Sequence, residues 1–282
     1  MKLVRFGEFG KEKPGIVDPE GRVRDISAHV NDFTGEALSA DGLARLGAID
    51  VSSLPEVPAD VRLGCPVADV RTFLAIGLNY ADHAAETGAE IPRSPVVFNK
   101  VATCICGPND DVMIPRDSTQ LDWEVELAFV IGKRARYVDE ADAADYIAGY
   151  TICNDVSERI FQTKRSGQWV KGKSAETFGP LGPWLVTPDE LSDVDSLAMA
   201  LDVNGVRRQT GNTSTMVYKV PFLLSHVSQF MVLEPGDVIT TGTPPGVALG
   251  METPAWLQPG DVMKLSIDGL GEQRQTVVPF KL

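Results

Sequence analysis

The chain has 282 residues, 43% of them hydrophobic and 23% charged, a balance that lets one large domain plus a small one bury its apolar surface without staples. With 39 acidic against 26 basic residues the formal net charge is −13, which excludes nucleic acid or an anionic membrane as the main partner, since both demand a basic footprint. An anionic substrate is not excluded, because a bound cation and a few local Lys or Arg residues reverse the field inside a cleft.

Residues 1–50 read as a small β-rich unit. Met1–Phe6 alternates apolar and polar side chains and is expected as a strand. Gly15–Val17 and Val23–Ile26 flank Asp18-Pro19-Glu20-Gly21, a turn sequence that predicts a hairpin. Leu43–Ile49 is expected as a helix, and residues 50–66, with Pro55, Pro58 and Pro66, as a linker. The chain thus divides into a small N-terminal domain and linker over 1–66 and a larger domain over 67–282. There Thr72–Ile76, Val96–Asn99, Leu121–Ile131 and Tyr150–Asn154 are expected as strands, and Asn79–Glu86 as a short helix stopped by Gly88. Glu140–Ala148 and Tyr218–Phe230 are further helices. Met199–Val203 and Val206–Gln209 form a hairpin through Asn204-Gly205. Leu233-Glu-Pro-Gly-Asp-Val238 and Leu257-Gln-Pro-Gly-Asp-Val262 read as two Pro-Gly turns, each feeding a strand, not as a repeat architecture. With 26 Gly and 19 Pro as punctuation, the fold class is strand-dominated α+β.

Residues 1–15 contain no apolar core of signal-peptide length, and no run approaches the ~18 apolar residues of a membrane span. Cys65, Cys104, Cys106 and Cys153 form no C-x-x-C pair and are expected as buried reduced thiols in a cytoplasmic protein.

Leu121-Asp-Trp-Glu-Val-Glu-Leu127 is the most informative segment. On a strand, Trp123, Val125, Leu127 and Phe129 point one way, and Asp122, Glu124 and Glu126 the other, with Glu124 and Glu126 roughly 7 Å apart. A hard cation between them relieves their repulsion; an exposed acidic edge strand is the plainer alternative, against which the apolar continuation Ala128–Ile131 argues. Asp155 follows the apolar stretch Tyr150–Cys153 and suits either a site or a helix cap. Three carboxylates without a His or Cys favour Mg²⁺, Mn²⁺ or Ca²⁺ over zinc.

Of three histidines, His83 stands three residues before Glu86, the helical spacing at which a carboxylate fixes an imidazole for base catalysis; a surface pair is the alternative. His226 sits in an apolar helix and reads as packed, and nothing marks His29. Lys171-Gly-Lys-Ser174 offers Lys173 to an anion, or is a solvated turn. Thr240-Thr-Gly-Thr-Pro-Pro-Gly246 offers hydroxyls and backbone N–H groups to a carboxylate, or is an ordinary glycine turn. Dinucleotide, Walker and nucleophile-elbow motifs are absent.

In order, Gly77-Leu-Asn-Tyr-Ala-Asp-His83, Leu121–Glu126, Asn154-Asp-Val-Ser-Glu-Arg159 with Gln162, Trp169-Val-Lys-Gly-Lys-Ser174, Gly179-Pro-Leu-Gly-Pro-Trp184 and Thr241-Gly-Thr-Pro-Pro-Gly-Val247 resemble the fumarylacetoacetate hydrolase family over residues 70 to about 270. Ala248 departs from it, where a glycine is frequent. The resemblance implies a mixed β-roll catalytic domain, a homodimer or dimer of dimers, and one Mg²⁺ or Mn²⁺ per subunit on Glu124, Glu126 and Asp155. It implies a base dyad of His83 and Glu86, catalytic donors Lys173 and Gln162, and substrate-binding Thr243, Gly242 and Thr177. The activity it implies is hydrolysis of the C3–C4 bond of a 2,4-dioxo acid, and the motif set is most similar to members acting on 2,4-dioxo-3-deoxy sugar acids (rhamnonate or fuconate derivatives), with pyruvate as product. Oxaloacetate decarboxylation, keto–enol isomerisation of dienoates, ureidoglycolate cleavage and non-catalytic metal binding stay open, since fold and ligands do not choose among them.

Overall fold

The computed structural model describes residues 1–82, 86 and 90–282. Two sheets dominate it. The larger has eleven strands, with a main path in the order Val23–Asp25, Lys13–Val17, Lys2–Phe6, Gly179–Val186, Ile147–Asn154, Val125–Ile131, Val238–Thr240, Phe73–Gly77 and Val96–Lys100. Its pairs are antiparallel except Val238–Thr240 on Phe73–Gly77, along the main path. The second sheet orders Val206–Asn212, Ala198–Val203, Val262–Ile267, Gly271–Val278 and Val112–Met113. The strand-dominated, mixed-sheet α+β class expected from the sequence is the one observed.

The N-terminal hairpin forms as expected. Asp18 accepts the amides of Glu20 and Arg22 within the turn, and its far strand pairs Gly15 with Asp25. The hairpin extends the large sheet directly, since Lys2 and Leu3 pair with Val186 and Leu185. Residues 50–66 are more than a linker: Leu63–Gly64 pairs with Lys2–Phe6, and Arg62 makes a bidentate ion pair with Asp110. The first helix is Ala40–Gly47, earlier than expected, because Ser39 caps it by accepting from the Gly42 amide.

Three expectations in the larger part change. Leu121–Ile131 is not one strand. Leu121–Asp122 pairs with Ser157–Glu158, and Val125–Ile131 pairs with Ile147–Asn154. At the break the side chain of Asn154 takes the Glu124 amide, and the Glu124 carbonyl takes the Asp155 amide. Glu140–Ala148 is a short 3₁₀ helix over Glu140–Tyr146, its end drawn into the sheet where Ile147 pairs with Ile131. Two short helices, Arg159–Thr163 and Val170–Lys173, stand where no helix was expected. They pack so closely that a Cβ on Gly172 would lie 2.5 Å from the Gln162 backbone and the Glu158 carbonyl, so this position demands glycine.

Candidate active site

Every residue of Val125–Ile131 and of Ile147–Asn154 is buried, and the core side chains Leu127, Phe129 and Ile152 hold the two strands rigid. The register Val125↔Asn154 sets Glu124 and Glu126 beside Asp155, which follows directly on Asn154. One oxygen from each of these three carboxylates lies within 4.8 Å of the others. All three side chains are buried. Burial pushes Glu126 well above the usual carboxylate range, and the neighbouring Asp155 and Glu124 charges add to it. An all-carboxylate, buried, mutually repelling donor set fits a hard divalent cation such as Mg²⁺ or Mn²⁺.

Three buried cations face the cluster. Lys173 donates to Glu124 Oε2 at 2.7 Å and to Asp155 Oδ2 at 2.6 Å. Arg159 donates to Glu124 Oε1 at 2.7 Å, to Asp122 Oδ2 at 2.8 Å and to Gln162 Oε1 at 3.1 Å. Lys100, at the end of Val96–Lys100, donates to Asp155 Oδ1 at 2.6 Å and to the Lys173 carbonyl. Burial alone lowers the Lys100 pKa, but Asp155 more than offsets it and holds the ammonium above its ordinary range.

These groups open onto a cavity of about 120 Å³. Its polar wall is Glu124, Glu126, Asp155, Arg159, Gln162 and Lys173, and its apolar wall includes Ile76, Leu249 and the edge-on pair Phe98 and Trp169. Gly242 and Thr243 also line it. Gly242, at φ +92°, turns its amide onto Glu126 Oε2 at 3.0 Å and so steadies a carboxylate of the cluster. The Thr243 hydroxyl donates to the Val125 carbonyl and accepts from Gln209.

Asp122, expected on the same face as the cluster, does not join it. Its oxygens accept the amides of Trp123, Ala248 and Leu249 as well as Arg159. Thr177, expected to contact substrate, is not among the residues lining this cavity. Its φ of +67° turns the side chain toward Val112–Met113, where the hydroxyl accepts the Met113 amide at 2.8 Å, away from the cavity wall. His83 and Gly88 lie outside the described residues. The Glu86 carboxylate accepts the Gly246 amide with both oxygens, at 3.0 and 3.1 Å. His226, half-buried, stacks on Phe222 and meets the exposed Phe230 edge-on, and all four cysteines are buried free thiols.

Sequence reasoning gave no role to Lys100 or Arg159. For Arg159 a signal existed, since it lies within Asn154–Arg159 and a buried acidic cluster needs counter-charge. Nothing local to Lys100 marks it.

The fumarylacetoacetate hydrolase C-terminal family model matches residues 72–278. A Burkholderia cenocepacia protein, provisionally named a hydrolase with no substrate given, is 56% identical over 277 residues, 98% of each chain. Among solved structures, fumarylacetoacetate hydrolase from the psychrophile Exiguobacterium antarcticum is 35% identical with a TM-score of 0.88, covering 99% of this chain and 100% of the other. Maleylpyruvate hydrolase from Sphingobium sp. SYK-6, crystallised with manganese(II) and pyruvate, is 30% identical with a TM-score of 0.83 over the whole of both chains. On fold, sequence and the matched span together, the chain belongs to the fumarylacetoacetate hydrolase family.

Proposed function

We propose that this protein is a Mg²⁺- or Mn²⁺-dependent hydrolase that cleaves the C3–C4 bond of a 2,4-dioxo acid, its substrate a 2,4-dioxo-3-deoxy sugar acid, releasing pyruvate and a hydroxy acid such as lactate. The observation that carries the reading is the convergence of Glu124, Glu126 and Asp155 at one cavity whose wall also presents Lys173, Arg159 and Gln162. The manganese and pyruvate of the maleylpyruvate hydrolase crystal support it by similarity. Glu124, Glu126 and Asp155 would hold one metal ion per subunit, and the ion would supply Lewis-acid polarisation of the 2-oxo acid.

The chain's own groups do the rest. His83, oriented by Glu86, takes a proton from water, and the resulting hydroxide adds to the C4 carbonyl. The C3–C4 bond then breaks, and its electron pair leaves with the three-carbon fragment. Lys173, Arg159 and Gln162 donate toward the negative charge that develops there, a role in which one placed donor is worth ~3 kcal/mol. Protonation at C3 completes pyruvate, and the C4 fragment leaves as a carboxylic acid. Phe98, Trp169 and Leu249 keep bulk water from the fragment while it carries charge. The proposed form is a homodimer or dimer of dimers in the cytoplasm.

The test is pyruvate release from a 2,4-dioxo-3-deoxy sugar acid, acetylpyruvate and oxaloacetate, each with Mn²⁺ and with EDTA. Metal-dependent release that is greatest from the sugar acid is the expected result. A preference for oxaloacetate would make the protein a decarboxylase, and no release from any would overturn the hydrolase reading.

A further inference from the structure

We propose that Lys100 is a positioning residue that holds Asp155 to a single site-facing oxygen and adds a positive charge to the metal-loaded site, so that it receives an anionic, chelating substrate. This rests on the metal-site reading above.

Lys100 lies outside the cavity wall, and its side chain is 0% exposed. A buried ammonium is destabilising unless oxygens meet it. Lys100 meets two, Asp155 Oδ1 and the Lys173 carbonyl, and rests over the Phe73 ring at 5.8 Å. Its two bonds reach two different elements of the site. One fixes the rotation of the Asp155 carboxylate, with Oδ1 turned to Lys100 and Oδ2 turned to the Lys173 ammonium. The other pins the last carbonyl of Val170–Lys173, whose terminal side chain reaches Glu124.

Both consequences concern the substrate more than the metal. The ammonium on Oδ1 is enclosed behind the site, whereas the Lys173 ammonium on Oδ2 lines the cavity, so Oδ2 is the oxygen that Asp155 turns toward a cation there. A small hard cation seeks about six oxygens, so positions remain for two from a substrate. Charge points the same way. Among the described residues, the carboxylates Glu124, Glu126 and Asp155 face the cations Lys100, Arg159 and Lys173, with Asp122 and Glu158 also buried nearby. A divalent ion would add two positive charges; without Lys100 the loaded site would carry one positive charge fewer and would pull less on a carboxylate.

The experiment measures Mn²⁺ binding, and then oxalate binding to the Mn²⁺-loaded protein, by calorimetry for wild type, Lys100→Met and Lys100→Gln, with unfolding temperatures alongside. Oxalate is the probe because it presents two adjacent oxygens and negative charge. Both variants are expected to bind Mn²⁺ at least as tightly as wild type and oxalate about tenfold or more weakly, the scale of one unit charge acting at a partly buried distance. Oxalate affinity equal to wild type, or weaker Mn²⁺ binding, overturns the proposal. So does a lowered unfolding temperature with both affinities intact, which would assign Lys100 to the fold alone. Should Lys100→Met not fold, Lys100→Gln decides, since its amide keeps donors for Asp155 and the Lys173 carbonyl. A wild type that binds no Mn²⁺ overturns the metal-site reading itself, a result distinct from a wild type that binds both probes while the variants match it.

Discussion

Glu124 has each carboxylate oxygen within hydrogen-bond reach of a cation, Oε1 of Arg159 and Oε2 of Lys173. Truncating it removes one ligand of the proposed metal and takes a hydrogen-bonded counter-charge from two buried cations. Glu124→Ala is therefore expected to lose Mn²⁺ binding and turnover together; full activity with Mn²⁺ binding retained would remove the cluster from the mechanism. His83→Ala is expected to keep Mn²⁺ affinity while turnover slows by on the order of a hundredfold or more, measured as steady-state pyruvate release. An unchanged rate would exclude His83 as the base. The acidic cluster was legible because Glu124 and Glu126 alternate with the apolar Trp123 and Val125 in the sequence, even though the strand itself begins only at Val125. Its completion by Asp155 depends on the cross-strand register Val125↔Asn154, which local pattern does not specify. The counter-charges are harder still. Lys100 and Arg159 stand far from one another in sequence, and only the folded chain brings both to the same carboxylates. Thr177 shows the converse: it sits near Lys173 in sequence, yet a left-handed φ aims it at another sheet.

The elements that carry the site differ in how openly the sequence announces them. Both Pro-Gly-Asp turns were legible because their chemistry is local. Gly236 and Gly260 take φ of +97° and +94°, and the following aspartates, Asp237 and Asp261, each accept the amide three residues back. Arg159–Thr163 and Val170–Lys173 were not legible, since five and four residues are too few to show a helical period. Their contact at Gly172 sets how far Gln162 and Lys173 stand from the cluster. Gly172→Ala puts a methyl into the Gln162 backbone and the Glu158 carbonyl. Overpacking of this kind costs about 1–3 kcal/mol, and a shift of ~1 Å in catalytic groups slows turnover by as much as ~100-fold. A lower unfolding temperature with reduced pyruvate release is the expected pair of results; wild-type values for both would mean that the helices separate without consequence.

At the scale of the whole molecule, the first strand is part of the sheet that bears the site. Lys2 and Leu3 pair with Gly179–Val186, which in turn pairs with Ile147–Asn154, the strand that ends beside Asp155. Leu3 and Val4 are fully buried. A chain trimmed to residues 67–282 would expose the edge of Gly179–Val186 and the apolar side chains beneath it. It is expected to aggregate or to unfold at a clearly lower temperature than the full chain, as read by light scattering and calorimetry. A trimmed chain that remains monodisperse at the original unfolding temperature would show the two parts to be independent. The proline-rich span 50–66 gave no hint of this union, because its short strand Leu63–Gly64 is recruited by pairing with Arg5 and Phe6.

The same pairing imposes an order on synthesis. Lys2–Phe6 leaves the ribosome well before its partner around Leu185 and Val186. At about 5–20 residues per second that interval is roughly 10–40 s. Through it the nascent strand has Lys13–Val17 on one edge and Leu63–Gly64 on part of the other, while Lys2 and Leu3 await Gly179–Val186. The link from Lys2–Phe6 through Gly179–Val186 to Ile147–Asn154 therefore forms late in translation, and Val238–Thr240 and Gln275, which also brace this part of the sheet, come later still. Synthesis speed over the stretch between the two strands thus becomes a determinant of yield for the earlier one.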